Sequence, residues 1–151
     1  MPTYQVTTTP GLLDAAAKGR LARAITRAHS AATGANSYFA QVMFTEKADG
    51  DYFLGGQPLR APQLFVHGTV RARPLADKQR LLAALLAAVA EAAGLQRRHV
   101  WVYLAELAPE LMIEFGHVLP APGAEAAWVA ALPADDRAYL LAIDAAHPPA
   151  A

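Results

Sequence analysis

The sequence predicts an α/β (α+β) domain in which tandem β-α-β units form a four-stranded mixed sheet with two helices on one face. Short C-terminal helices close it. The first observation behind this is an internal repeat. One constant offset pairs Pro2 with Pro62, Val6 with Val66, Lys18 with Lys78, Leu21 with Leu81, Ala24 with Ala84, Ile25 with Leu85, Gly34 with Gly94, Val42 with Val102 and Glu46 with Glu106. The matches fall at strand, helix-core and cap positions together, as two copies of one unit require. The second is periodicity, since each copy passes from two-residue alternation to three- and four-residue spacing and back. The third is composition. In 151 residues, 54% are hydrophobic, many of them alanine, and only 17% are charged. That is enough for one core, and it leaves a surface suited to cover by other subunits. A single domain over 1–151 follows, with pseudo-repeats 2–46 and 62–106 and an extension, 107–151, that has no counterpart in the first half.

Tyr4 to Thr9 alternate as a strand, and Pro10-Gly11 breaks it. Asp14 is placed to cap a helix running to about Ala32. Leu21, Ala24, Ile25, Ala28, His29 and Ala32 share one stripe of it, and Gly34 ends it. Ala40 to Glu46 form a second strand, and Gly50 to Gly56 a tight hairpin or loop. Leu64 to Val70 repeat the first strand, Pro74 opens the second helix, and Val100 to Leu104 form the last long strand. Crossovers between parallel strands are right-handed, so both helices lie on one face. The second helix, Leu81 to Ala93, is apolar almost all round, and the other sheet face is left open. Both point to oligomerisation. Pro109 to Gly116 reads as one short helical turn carrying Glu114, followed by helices over Ala124–Ala131 and Pro133–Ala146. Asp135 and Asp136 suit the first turn of the latter, and Pro148-Pro149 reads as a loose tail.

Several classes are disfavoured. Thirteen basic and thirteen acidic residues balance, which argues against nucleic acid or an acidic membrane as partner. With no cysteine there is no disulfide or thiolate chemistry. His67 and His117 lack ligand spacing, so no metal is expected. No signal peptide is visible, and the apolar run Leu81 to Ala90 is too short to span a bilayer. A cytoplasmic protein is the expectation.

The candidate site begins at Pro2. If Met1 is trimmed, Pro2 becomes a terminal secondary amine. An α-amino group titrates near about 8, so desolvation and charge can set its state at neutral pH. The alternative is a tolerated residue at a chain end. His29 faces the sheet, either as a satisfied core residue or as a site group, and its repeat mate is the plain core residue Val89. Arg71 and Arg73 are alternate residues at a strand's end, so their guanidiniums can converge on a carboxylate, or else end a solvated strand or make subunit salt bridges. Tyr103 interrupts an apolar strand, as a packed core phenol or as one bonded to water or substrate. Glu114 lies between Ile113 and Phe115. It is an exposed helical glutamate or, if buried, a base of raised pKa.

The segments Ala24-Ile25-Thr26-Arg27-Ala28-His29, Ala40-Gln41-Val42, Phe53-Leu54-Gly55-Gly56, Phe65-Val66-His67-Gly68, His99-Val100-Trp101-Val102-Tyr103, Glu114-Phe115-Gly116 and Leu119-Pro120 resemble the tautomerase superfamily. Within it they look most like the cis-3-chloroacrylic acid dehalogenase group. The resemblance runs to about Leu132 and implies a catalytic set of Pro2, His29, Arg71, Arg73, Tyr103 and Glu114. It also implies a homotrimer with one site per subunit, no cofactor and a small carboxylic acid substrate. One departure is visible: the family places two residues between its arginines, whereas only Ala72 stands between Arg71 and Arg73. Three activities are compatible: hydration or dehalogenation of an unsaturated acid with Pro2 as general acid, tautomerisation with Pro2 as general base, or binding alone.

Overall fold

The computed structural model describes residues 2–145. Met1 and the Pro148-Pro149 tail lie outside the described residues, as does the Ala146 end of the expected last helix. Strand β1 (Thr3–Thr8) leads to helix α1 (Ala15–Thr33) and strand β2 (Gln41–Glu46). A small hairpin follows, β3 (Phe53–Leu54) with β4 (Gln57–Pro58). The second copy is β5 (Leu64–Arg71), α2 (Leu75–Ala93) and β6 (Val100–Leu107), then the hairpin of β7 (Ile113–Glu114) and β8 (His117–Val118). Helices α3 (Glu125–Ala131) and α4 (Ala134–Ala145) close the described chain.

The sheet order is β2-β1-β5-β6. β1 runs parallel to β2 and β5 parallel to β6, while β1 and β5 pair antiparallel with Val6 opposite Val66. Those two valines are repeat mates, so the pseudo-twofold passes between them. The expected mixed sheet and its two covering helices are therefore present. Asp14 caps α1 by accepting from the Ala17 N–H at 2.6 Å. Gly34 and Gly94 end the two long helices at φ 71° and 65°, a left-handed turn that glycine enters without a Cβ clash.

The repeat reaches further than the sequence indicated. The β7-β8 hairpin stands at the same offset from β3-β4 as the two helices stand from each other. So the hairpin of the segment after residue 106 does have a counterpart in the first half, while α3 and α4 have none. The aligned hairpins share only Gly56 and Gly116, too little identity to register in the sequence.

Two cores result. Tyr4, Val6, Leu21, Ile25, Leu64, Val66, Leu81, Leu85 and Val89 fill the layer between sheet and helices. The extension builds a second around Tyr38, Phe39, Met112, Leu119, Leu132 and Leu140. The opposite sheet face is uncovered in the single chain. It exposes Met43, Trp101 and Tyr103 at 40%, 40% and 56%.

Candidate active site

Pro2 is buried just ahead of β1, its carbonyl accepting from the Gln41 N–H at 3.0 Å. It lines a small cavity of about 10 Å³ with His29, Ala35, Arg71 and Arg73. That is room for about one water molecule. The sequence thus brings four of its six candidates to one place. The shortened arginine spacing does not part the guanidiniums. Arg71 is the last residue of β5, Arg73 lies in the bend before α2 begins at Leu75, and both line the cavity.

His29 is 3% exposed, and its Nδ1 lies 2.7 Å from the hydroxyl of Tyr4, which is wholly buried. Burial lowers the His29 pKa to about 3, with the Arg73 and Arg71 charges adding to the effect. The imidazole is therefore neutral near pH 7. Burial pushes the Tyr4 hydroxyl up, so it stays protonated and donates. A neutral ring accepting at Nδ1 carries its hydrogen on Nε2. His29 can then offer a donor without adding charge. Tyr4 is the residue that sequence reasoning missed here. It shares the inward face of β1 with Val6 and Thr8, the face that α1 covers, so strand alternation held the signal.

Arg71 is 3% exposed. Its Nη1 donates to the Pro120 carbonyl at 2.7 Å and its Nη2 is ion-paired with Glu125. Arg73 is held more loosely. Its Nη1 makes a 3.5 Å contact to the Thr33 carbonyl, and its backbone N–H donates to Glu106 Oε1 at 3.1 Å. Burial and the adjacent Arg71 charge lower Arg73 from its ordinary value.

Glu114 is half-buried on β7, opposite His117. The expected helical turn is limited to a 3₁₀ turn at Pro109–Leu111, so Glu114 sits on a strand. Burial pushes its carboxyl above the usual carboxylate range, against the pull of Arg71. Phe115 turns this hairpin at φ 54°, and its ring packs edge-on to Tyr139 at 6.2 Å. A 2.8 Å His117–Asp136 pair and a 2.9 Å bond from Trp128 Nε1 to the Val118 carbonyl tie the hairpin to the closing helices.

Tyr103 is not brought to the cavity within one chain. Val100, Val102 and Leu104 turn inward from β6. Tyr103 stands on the open face, 5.0 Å edge-on from Phe65 and stacked at 6.4 Å on Trp101. Among the described residues no cluster of three or more His, Asp or Glu side chains could hold a metal. No described helix is long and apolar enough to cross a membrane.

A tandem β-α-β fold with proline, histidine and paired arginines at one end of its sheet defines a tautomerase-like protein. A family profile described as "Putative oxalocrotonate tautomerase enzyme" matches residues 1–131. The crystal structure of N1, a member of the cis-3-chloroacrylic acid dehalogenase family, superposes with a TM-score of 0.89 at 33% identity, covering 93% of this chain and 99% of that one. Pt0534, solved after inactivation by 2-oxo-3-pentynoate, gives 0.70 at 25% identity over 78% of this chain and 94% of its own. A fused 4-OT solved as a symmetric trimer gives 0.71 at 23% identity, over 80% of this chain and 97% of its own, a likeness of fold alone. No curated protein matches the chain. The chain belongs to the tautomerase superfamily, and within it to the cis-3-chloroacrylic acid dehalogenase group.

Proposed function

We propose that the protein hydrates or dehalogenates a small 3-substituted unsaturated carboxylic acid, using the Pro2 amine freed by removal of Met1. The observation that carries this reading is the shared cavity of Pro2, His29, Arg71 and Arg73. The arginines and the Nε2–H of neutral His29 bind the carboxylate and draw electron density from C3 of the double bond. Glu114 takes a proton from water as the water oxygen bonds to C3. Protonated Pro2 delivers a proton to C2. From a 3-haloacrylate the resulting halohydrin loses hydrogen halide and leaves malonate semialdehyde. Burial, which raises the Glu114 pKa, makes its carboxylate a stronger base toward water. Tyr103 serves a neighbouring subunit's cavity in a homotrimer, the assembly of the fused 4-OT relative, and the uncovered sheet face is the surface available for it.

A second reading, a tautomerase of 2-oxo or 2-hydroxydienoate acids with Pro2 as general base, is favoured by the likeness to Pt0534 and by the arginine field, which depresses an adjacent amine. Incubation with cis-3-haloacrylates, propiolate and enolised phenylpyruvate, each followed against pH, separates the two. Activity that falls as the Pro2 amine deprotonates supports the hydratase. Activity that rises supports the tautomerase. Turnover of none of these, or full activity in Pro2→Ala, would refute both. Intact mass gives the state of Met1.

A further inference from the structure

Arg71 is already engaged by an anion of its own chain. Glu125 Oε1 is ion-paired with Nη2, and the other oxygen, Oε2, accepts from the Gly123 N–H at 2.7 Å. The Pro120 carbonyl holds Nη1 at 2.7 Å. The segment 120–125 thus grips the guanidinium from both terminal nitrogens, at a residue only 3% exposed. Arg71 retains donors on its fork, but its charge is matched. Arg73 lacks such a grip, its Nη1 meeting only a carbonyl at 3.5 Å. The two cavity arginines are therefore unequal: one guanidinium is held by an ion pair and a short hydrogen bond, the other by a single long one.

We propose that Glu125 is a positioning residue that fixes Arg71 and sets the cavity's selectivity. By ion-pairing one guanidinium it leaves Arg73, which feels the Glu125 and Asp77 charges without an ion-pair contact to either, as the cation free to pair with a ligand, so the arginine pair takes one carboxylate and rejects a dicarboxylate. Glu125 touches no reacting atom in this role. It acts through Arg71, whose remaining N–H groups are aimed by the ion pair and the Pro120 bond. Two convergent guanidiniums without a resident carboxylate would suit a dianion better, because each would pair with one charged end.

This rests on the reading of the cavity as an acid site, and the test separates the two. The probes are propanoate and malonate, three-carbon acids that cannot react, titrated calorimetrically into the whole protein at fixed ionic strength. The wild type should bind propanoate at least tenfold more tightly than malonate. Glu125→Gln keeps the volume and removes the charge. It should tighten malonate at least tenfold while changing propanoate less than threefold. Glu125→Asp, which keeps the charge, should restore the wild-type preference. A purely structural role would lower thermal stability and leave the ratio alone. A wild type that prefers malonate overturns the proposal with no variant needed, so a variant that fails to fold leaves the test standing. Equal effects on both acids in Glu125→Gln overturn it as well. Binding of neither acid by the wild type overturns the acid-site reading itself, and this inference with it.

Discussion

The two ends of the pseudo-symmetric sheet are built from one plan and hold different things. At one end are Pro2, His29, Arg71, Arg73 and Glu114. Their repeat mates at the other are Pro62, Val89, Gly11, Leu13 and Leu54. The first end is a small cavity of about 10 Å³. The second is a broad groove of about 550 Å³ lined by Gly11, Leu12, Leu13 and the last turn of α2. The hairpins differ in the same sense. Both hairpins expose apolar side chains, Phe53 and Leu54 on one and Ile113 and Val118 on the other, but β7-β8 is anchored through Phe115, His117 and the Val118 carbonyl to the closing helices. The difference teaches what the extension does. It holds the Glu114 hairpin and brings Pro120 and Glu125 to Arg71, at the end of the duplicated scaffold that carries the candidate site.

The comparison breaks most completely at Arg71. Arg71→Ala removes a cavity cation and strands the Glu125 carboxylate. Turnover should fall at least a hundredfold. Stability should fall by about 2–4 kcal/mol, taken below the fully buried case because Glu125 is partly exposed. A denaturant titration and steady-state kinetics check both. Unchanged stability would mean that the pair contributes nothing to the fold.

Gly68 comes next. A Cβ there would meet the Tyr4 ring at 2.6 Å and Leu104 at 2.8 Å. Gly68→Ala should lose about 1–3 kcal/mol and push Tyr4 off His29. A displaced His29 ring resonance in the nitrogen NMR spectrum would report the movement, and an unmoved one would contradict it.

His29→Val copies Val89 and should abolish turnover. It leaves the buried Tyr4 hydroxyl without its acceptor, at about 1–3 kcal/mol. Adding Tyr4→Phe should recover most of that stability and none of the activity. A double variant no more stable than the single one would show that the hydroxyl is satisfied elsewhere.

The smallest effect concerns pH. Unfolded His29 takes up a proton as pH falls through about 6.5, while the folded ring stays neutral down to about 3. Between those values the unfolded state binds more protons, so this group makes stability rise with pH. Glu114, pushed up by burial, works in the opposite direction. Melting wild type and His29→Val side by side between pH 4.5 and 6.5 isolates the histidine, and the variant should show the flatter acid side. Parallel curves would place a charged imidazole in the fold.

The duplication, both long helices with their caps, the four main strands and the closing helices were legible in the sequence, because periodicity and cap chemistry are local. His29 could be singled out because its mate Val89 is a plain core residue. Tyr4 was readable in principle from the inward face of β1. Glu114 was right in type and wrong in element, since a two-residue strand turned on Phe115 at φ 54° carries no local pattern and is held by Tyr139 packing. Tertiary structure alone decided that Arg71 has a resident carboxylate. Glu125 lies beyond a proline- and glycine-broken segment, and an ion pair over such a separation depends on where that segment lands. It alone also decided that Tyr103 faces away from the cavity of its own chain. Strand alternation divides β6 into two faces, but only the packed helices determine which face is inside.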